Sequence, residues 1–253
     1  EAGAPDALTV TEVRPAPPIE SVAELDFPEV QHTALANGMT LHYAQRDAIP
    51  ATYVTLSFDA GSTADPADKR GLEGLALGLF EEGTTTMSSR EIAETSERLG
   101  ANISLGGGAD RSSFTLSALS ANLVPSLELL SDIVRNPAFA QSEIDRVRAQ
   151  RITGVEQELR TPSAIAARTI SPLIYGAESP YAGPDTGTVA SLSAITREDI
   201  TGFKDRWIRP DNGEVFVVSD RPLAEIEAAL NGVLGDWQAP AVAKGTKSFD
   251  AAP

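Results

Sequence analysis

Two histidines flank the turn-forming pair Asn37-Gly38, and the chain contains no others. Imidazole is a frequent zinc ligand, so His32 and His42 could belong to a metal site if the strands around the turn bring them together. Zinc sites use at least three protein ligands, and the sequence suggests no third ligand near this pair. We therefore interpret both histidines as polar residues of a half-exposed hairpin.

Pairs of carboxylates could perform general acid–base chemistry. The candidates are Glu81 with Glu82 and Glu156 with Glu158. Side chains one or two positions apart on a helix point in different directions, so solvated charge is the simpler interpretation. No serine lies in a Gly-x-Ser-x-Gly elbow, and no base is evident that could activate one.

The run Gly106-Gly107-Gly108 could be taken for a phosphate-binding loop. It lacks the Lys-Ser/Thr ending of such loops, and strand-like segments rather than a helix flank it. We predict a flexible turn between two strands at this position.

Composition limits the remaining possibilities. The chain has 253 residues, of which 42% are hydrophobic, so it can form a substantial core. Thirty-six acidic and 20 basic residues give a formal charge of −16, and no basic stripe is present, which argues against nucleic acid as a partner. No apolar run reaches the roughly 18 to 20 residues that cross a bilayer. The absence of cysteine excludes disulfides and thiolate sites.

Proline-rich and small-residue composition at both ends predicts a linker over 1–29, one domain over 30–238 and a second linker over 239–253. The chain opens with Glu1 and shows no signal segment. We expect it to be a mature fragment or an excised piece of a longer protein.

Periodicity and capping signals predict a mixed α+β fold without regular βαβ alternation. Ser88 with Glu91 forms a capping-box pattern, Gly100 is placed to end that helix, and Thr196 with Asp199 opens another. The predicted strands are 30–35, 39–45, 53–58, 101–105, 112–118 and 214–219. The predicted helices are 71–80, 88–99, 122–136, 142–159, 196–207 and 223–234.

Several short motifs, in this order and spacing, resemble one domain of the pitrilysin/insulinase family, which includes the mitochondrial processing peptidases. The motifs are Leu35-Ala36-Asn37-Gly38-Met39, Ala60-Gly61-Ser62, Gly71-Leu72, Glu82-Gly83-Thr84, the segment 132–139, Glu158-Leu159-Arg160 and Ser179-Pro180-Tyr181. The resemblance implies a mixed, mainly antiparallel sheet packed by helices, as in the metallopeptidase domain of this family.

Active members of this family carry the inverted zinc motif His-x-x-Glu-His on a helix between the Gly-Leu and Gly-Thr landmarks. Aligned on those landmarks, the two histidines correspond to Gly74 and Gly78, and the glutamate corresponds to Leu77. The resemblance thus implies a degenerate motif without catalytic residues. We expect this glycine-containing helix to pack closely against a neighbour instead of lining a wet cleft.

The third zinc ligand of the family is a glutamate on a downstream helix, and Glu158 before Leu159-Arg160 matches it. Glu156 is an alternative for the same position. One carboxylate cannot hold zinc, so Glu158 is interpreted as a relic or an ion-pair former. We expect no cofactor in this chain and zinc in a catalytic partner half.

The resemblance implies a non-catalytic domain or subunit that forms part of the peptide-binding chamber of a zinc metalloprotease. Its partners would be a zinc-bearing homologous half, on the same chain or another subunit, and a peptide substrate that could join the sheet edge within 101–118. The alternative is a stand-alone peptide-binding or scaffolding module. A periplasmic or secreted location is expected, and a cytoplasmic one stays open.

Overall fold

The computed structural model describes residues 28–247, and the predicted linker at 1–29 therefore lies almost wholly outside the described residues. A single mixed sheet of six strands organises these residues, in the order β1-β2-β6-β3-β5-β4. The strands are β1 (Val30–Ala34), β2 (Thr40–Gln45), β3 (Ala51–Phe58), β4 (Asn102–Gly107), β5 (Ser112–Leu119) and β6 (Gly213–Ser219).

Eight helices accompany the sheet in the described residues. They are α1 (Leu72–Leu77), α2 (Ser89–Leu99), α3 (Leu123–Arg135), α4 (Gln141–Glu158), α5 (Pro162–Tyr175), α6 (Val189–Ala194), α7 (Arg197–Trp207) and α8 (Leu223–Leu234). The predicted α+β class is confirmed. Helices α5 and α6 were not predicted.

One face of the sheet forms the core, because apolar and polar residues alternate along the strands. Leu41, Leu56 and Phe114 on this face are fully buried. Removing each such side chain from water contributes about 1.5–3 kcal/mol. Tyr53 and Phe216 stand on the opposite face and are partly exposed. The core face is where the helices that position the candidate site are packed.

Local signals predicted the helix ends well. Ser88 and Glu91 form the expected capping box at the start of α2, and Gly100 ends this helix in the left-handed conformation. Thr196 and Asp199 form the same reciprocal cap on α7. The predicted helix 71–80 is shorter than expected, since α1 ends at Leu77 and turns follow.

The predicted turn between the two strands is present, but of the glycine run only Gly108 lies in it. Gly106 and Gly107 belong to β4, where they pair with Ser113 and Ser112 of β5. Glycine is required at position 107 because the Glu73 side chain of α1 lies against it, and not because the chain must be flexible there. The pairing of β2 with β6 is parallel, and it is the only parallel pair in the described sheet.

Candidate functional site

Helix α1 is held at its first turn by a buried carboxylate. The Asp65 side chain accepts hydrogen bonds from the backbone N–H groups of Gly71 and Glu73, both at 2.8 Å. Burial raises the pKa of Asp65 to about 7, although the helix N–H groups favour the charged form. Gly71 precedes the helix in a left-handed conformation with φ 89°, which glycine adopts without strain. This anchor fixes the direction in which α1 presents its side chains.

The face of α1 that carries Gly74 and Gly78 looks onto Arg151 of α4. A Cβ atom added at Gly74 would lie 3.0 Å from Arg151 Nη1, and one at Gly78 would lie 3.2 Å from Nη2. The guanidinium also donates a short hydrogen bond to the Gly74 carbonyl. A cationic side chain therefore fills the space into which side chains at both positions would project.

Glu73 supplies the countercharge beside this guanidinium. Its carboxylate is 5% exposed and accepts a hydrogen bond from the Ser112 hydroxyl at 2.7 Å. Burial raises the pKa of Glu73, while the Ser112 hydrogen bond and the charge of Arg151 oppose that rise. A Cβ atom at Gly107 would collide with the Glu73 carboxylate. The glycine in β4 thus makes room for a buried acid from α1.

These residues border an open cleft of about 310 Å³ between α1, α4 and β4. The lining residues are Glu73, Gly74, Leu77, Gly78, Glu81, Leu105, Gly107, Arg151, Asp185 and Thr186. The expectation that the glycine-containing helix would be sealed by apolar packing is wrong for this face. Leu75 and Ala76 on the other side of α1 are buried in the core, so the helix packs with one face and borders a polar cleft with the other.

Glu158 ends α4 and is engaged in a network of hydrogen bonds. Its carboxylate pairs with Arg168 of α5 at 2.6 Å and accepts a hydrogen bond from the Thr186 hydroxyl at 3.2 Å. Arg168 donates to the same hydroxyl at 2.7 Å and to the carbonyl of Gly187. Glu158 therefore acts as an ion-pair former that fastens α5 to residues 186–187.

The cleft beside Glu158 and the cleft beside the glycine face of α1 share two lining residues, Asp185 and Thr186. Glu158 lines the first of these clefts, and Gly74, Leu77 and Gly78 line the second. Glu156, the alternative candidate, is exposed on the same helix.

The other candidate carboxylates do not form an acid–base pair. Glu82 pairs with Arg146 of α4, whereas Glu81 lines the cleft. Burial and the charge of Glu82 raise the pKa of Glu81. The two side chains therefore have different neighbours, in agreement with the interpretation that they are not a catalytic pair.

The two histidines lie on β1 and β2 as direct cross-strand neighbours. The Nδ1 atoms of His32 and His42 are 2.9 Å apart, and the His42 ring stacks on Phe216 with ring centroids 4.6 Å apart. Glu214 faces the other ring nitrogen of His42 at 3.8 Å. The two histidines thus contact each other, Phe216 and Glu214, while the buried Nε2 atom of His42 has no hydrogen-bond partner among the described residues.

The cleft residues do not fit a zinc ion. Zinc requires three or four donor atoms from His, Cys, Asp or Glu. Within residues 28–247, no three such side chains are grouped so that they could hold a metal ion. Gly74, Leu77 and Gly78 have no donor side chains, and the guanidinium of Arg151 places positive charge where a cation would have to bind.

Sequence reasoning did not single out Glu73 and Arg151. Glu73 was visible as the one charged residue between Gly71 and Leu77, a segment that is otherwise apolar. Arg151 carried no such signal, because it is one of several arginines on the charged helix α4. Its role becomes evident only when α4 is seen against the glycine face of α1.

Two family models match the chain. The model described as insulinase (peptidase family M16) matches residues 43–173, and the one described as peptidase M16 inactive domain matches residues 194–252. The chain belongs to the insulinase family of peptidases, M16.

Curated relatives include an uncharacterized zinc protease of Rickettsia felis, 23% identical over 70% of this chain and 43% of the relative. The mitochondrial-processing peptidase subunit alpha of Solanum tuberosum is 26% identical over 78% of this chain and 37% of its own length. The chain therefore spans less than half the length of these relatives.

Solved structures of the family show the same fold. The peptidase M16 inactive domain from Pseudomonas fluorescens superposes with a TM-score of 0.80 at 27% identity, over 86% of this chain and 53% of that one. The first half of the periplasmic protease PqqL from Escherichia coli gives a TM-score of 0.76 at 18% identity, over 88% of this chain and 49% of that one.

Proposed function

We propose that this chain is a non-catalytic domain or subunit of an M16 zinc metalloprotease, which supports proteolysis by a separate zinc-bearing half. The observation that carries the proposal is the position of Arg151. Its guanidinium fills the space in front of Gly74 and Gly78, the two positions that align with the zinc-binding histidines. Like charges repel strongly in a partly dry site, so this arginine opposes metal binding there.

The proposed role of the domain is to form one wall of a peptide-binding chamber. Strand β4 is the last strand of the sheet, and its outer edge has no neighbouring strand among the described residues. Such an edge can pair with an extended peptide through main-chain hydrogen bonds. Leu105 and Gly107 of β4 also line the cleft, so a peptide on this edge would lie beside Arg151.

The zinc-bearing half would be a homologous unit with an intact His-x-x-Glu-His helix, on the same polypeptide or on a partner subunit. The length of the relatives supports this arrangement, since the chain covers 43% of the Rickettsia felis relative and 53% of the Pseudomonas fluorescens chain. We also infer a periplasmic or secreted location. Within the described residues no helix has the length and apolarity needed to cross a membrane. Cell fractionation tests the location.

Reconstitution tests the proposed function. The chain would be mixed with a zinc-bearing M16 half from the same genome, and cleavage of a quenched fluorescent peptide would be followed. We expect no cleavage by this chain alone and at least a tenfold higher rate for the mixture than for the zinc-bearing half alone. A zinc-bearing half whose motif glutamate is replaced by glutamine is the control, and its mixture should be inactive.

Two results would contradict the proposal. Cleavage by this chain alone, abolished by a zinc chelator, would show that it has its own catalytic site. A mixture no faster than the zinc-bearing half alone, together with peptide binding by this chain, would instead favour a stand-alone peptide-binding or scaffolding module.

A further inference from the structure

The guanidinium of Arg151 has hydrogen-bonding capacity that the protein itself does not use. An arginine side chain carries five N–H donors. Among the described residues, the one hydrogen bond that Arg151 makes goes to the carbonyl of Gly74, and its charge is balanced by Glu73. Burial lowers the pKa of Arg151 and the charge of Glu73 raises it, so the group is partly dehydrated and lies near one carboxylate. The remaining donors border the cleft and are available to a ligand.

The charges of the cleft indicate which kind of acceptor fits. Glu73, Glu81 and Asp185 line the cleft together with Arg151, so carboxylates outnumber the guanidinium by three to one. Two of these acids are already engaged, Glu73 by Ser112 and Asp185 by the Ser62 hydroxyl at 2.8 Å. An anionic ligand would meet repulsion from all three. A neutral acceptor such as a peptide carbonyl would not.

The neighbouring strand indicates how such a carbonyl would arrive. A peptide paired with the free edge of β4 points its carbonyl groups alternately toward and away from that strand. Gly107 has no side chain of its own here, and it borders the cleft together with the Glu73 carboxylate and Arg151. An extended peptide there can direct a carbonyl that β4 does not use toward the cleft.

We propose that Arg151 is a peptide-binding residue that donates hydrogen bonds to a main-chain carbonyl of an extended peptide lying along β4. This inference rests on the proposed chamber role and adds a specific residue to it. The cation that keeps metal out of the cleft is also the group that holds the peptide. The chain thus binds peptide carbonyl oxygen with a guanidinium at the place aligned with a metal site.

Peptide binding to the intact chain tests this inference. The probe is a fluorescein-labelled, unstructured 15-residue peptide of alanine, leucine, threonine and lysine, followed by fluorescence anisotropy. Arg151→Met keeps an unbranched stem and removes the charge and the donors of the guanidinium, so we expect the Kd to rise at least tenfold. Arg160→Met, an exposed arginine two residues beyond α4, is the matched control and should bind like the wild type.

A second set of peptides identifies the contact. Each peptide has one backbone carbonyl replaced by a methylene group. Replacement of one particular carbonyl should lower the affinity of the wild type about tenfold relative to the unmodified peptide. The same replacement should not lower the affinity of Arg151→Met. Arg151→Lys keeps the charge beside Glu73 but replaces the planar guanidinium with an ammonium group. If Arg151→Met unfolds at a lower urea concentration than the wild type, Arg151→Lys is compared instead, and its loss at that carbonyl should be smaller than the loss of the wild type.

Three outcomes would overturn the inference. Wild-type affinity in Arg151→Met would remove this residue from binding while leaving the chamber role intact. Equal losses in wild type and variant at every carbonyl position would show that Arg151 acts only through the fold. No binding of any peptide by the wild type would contradict both this inference and the proposed chamber role.

Discussion

The two helices that align with the zinc-binding elements of M16 peptidases, α1 and α4, differ in what they retain. Helix α1 has small or apolar residues at all three aligned positions, Gly74, Leu77 and Gly78. Helix α4 keeps Glu158 but directs it to Arg168, and it extends Arg151 toward the glycines. On the alignment proposed above, α1 has no polar side chains at the positions of the zinc motif, and α4 places a positive charge in front of them. The proposed difference from a zinc-bearing half therefore lies in both helices and not in α1 alone.

Among substitutions around α1, we expect the largest loss of stability at Gly107, the β4 residue that contacts Glu73 of this helix. Gly107→Ala would place a methyl group on the buried carboxylate of Glu73 and disrupt its hydrogen bond with Ser112. We expect a loss of about 3 kcal/mol in the free energy of unfolding, from overpacking and a displaced buried polar group. Urea unfolding followed by circular dichroism measures this loss.

Gly106→Ala is the matched control for this prediction. A Cβ atom there meets only the Ser113 hydroxyl, at 3.4 Å, and the change should cost less than about 1 kcal/mol. Equal losses at both glycines would mean that general strand effects, and not Glu73, account for the glycine at position 107.

Restoring the aligned motif should not by itself restore zinc binding. In the triple variant Gly74→His, Leu77→Glu and Gly78→His, both imidazoles would compete with the Arg151 guanidinium for space. We expect zinc to bind at least tenfold more tightly when Arg151→Ala is added, because the substitution removes both the steric conflict and the repulsion. Isothermal titration calorimetry with zinc chloride measures the difference.

The triple variant and its Arg151→Ala derivative should both also carry His32→Ala and His42→Ala. Zinc binding by the hairpin histidines then does not contribute to the measurement. Equal affinity with and without Arg151 would show that the guanidinium moves aside readily. The proposed exclusion of metal by α4 would then be wrong.

Rising pH should weaken the domain between about pH 4 and 7 because α1 holds buried acids. The pKa of Asp65 is raised to about 7, and burial also raises the pKa of Glu73. The folded state then binds more protons than the unfolded state in this range, so the free energy of unfolding falls as pH rises. One pKa unit corresponds to about 1.4 kcal/mol, and we expect a fall of about 2 kcal/mol between pH 5 and 8 in urea unfolding.

Glu73→Gln keeps the acceptor for Ser112 and removes one of these titrating groups. The decline with pH should be shallower in this variant. Carboxyls with a lowered pKa, such as Asp132, have the opposite effect on stability, and they act at lower pH. A free energy of unfolding that rises between pH 5 and 8 would contradict the proposed burial of charge beneath α1.

On α4, we expect a substitution of Glu158 to lower the stability of the domain only slightly. Glu158→Gln removes the ion pair with Arg168. The side chain of Glu158 is 35% exposed and that of Arg168 is 14% exposed. Pairs that are partly exposed to water contribute about 1 kcal/mol or less, so we expect a loss of that size in thermal unfolding. Glu156→Gln, on the same helix and exposed, should have no measurable effect. A loss above about 3 kcal/mol at Glu158 would indicate a structural role greater than that of an ion pair.

The sequence predicted the features that depend on nearby residues. The Ser88 and Thr196 caps are formed by residues three positions apart, and the Asn37-Gly38 turn sets its own geometry. These signals are complete within a few residues, so the strands, the capped helices and the α+β class could be predicted. The resemblance then placed Gly74, Leu77 and Gly78 on one helix, which the structure shows as α1.

Features that depend on distant residues could not be predicted in this way. Glycine at position 107 is explained by Glu73 of α1, so the prediction that Gly106 and Gly107 belong to a turn was wrong. The parallel pairing of β2 with β6 joins strands from opposite ends of the domain. The approach of Arg151 to α1 depends on how α4 crosses that helix, and no local pattern encodes it.

Zinc content tests the central claim most directly. The chain would be purified without chelators, dialysed against buffer containing zinc and measured by elemental analysis, with His32→Ala/His42→Ala analysed in parallel. We predict less than about 0.1 zinc per chain in the double variant, because Arg151 lies in front of Gly74 and Gly78 and the acids that line the cleft are not grouped as metal ligands in the described residues. One zinc per chain in that variant would contradict the account and would point to a metal site on this half.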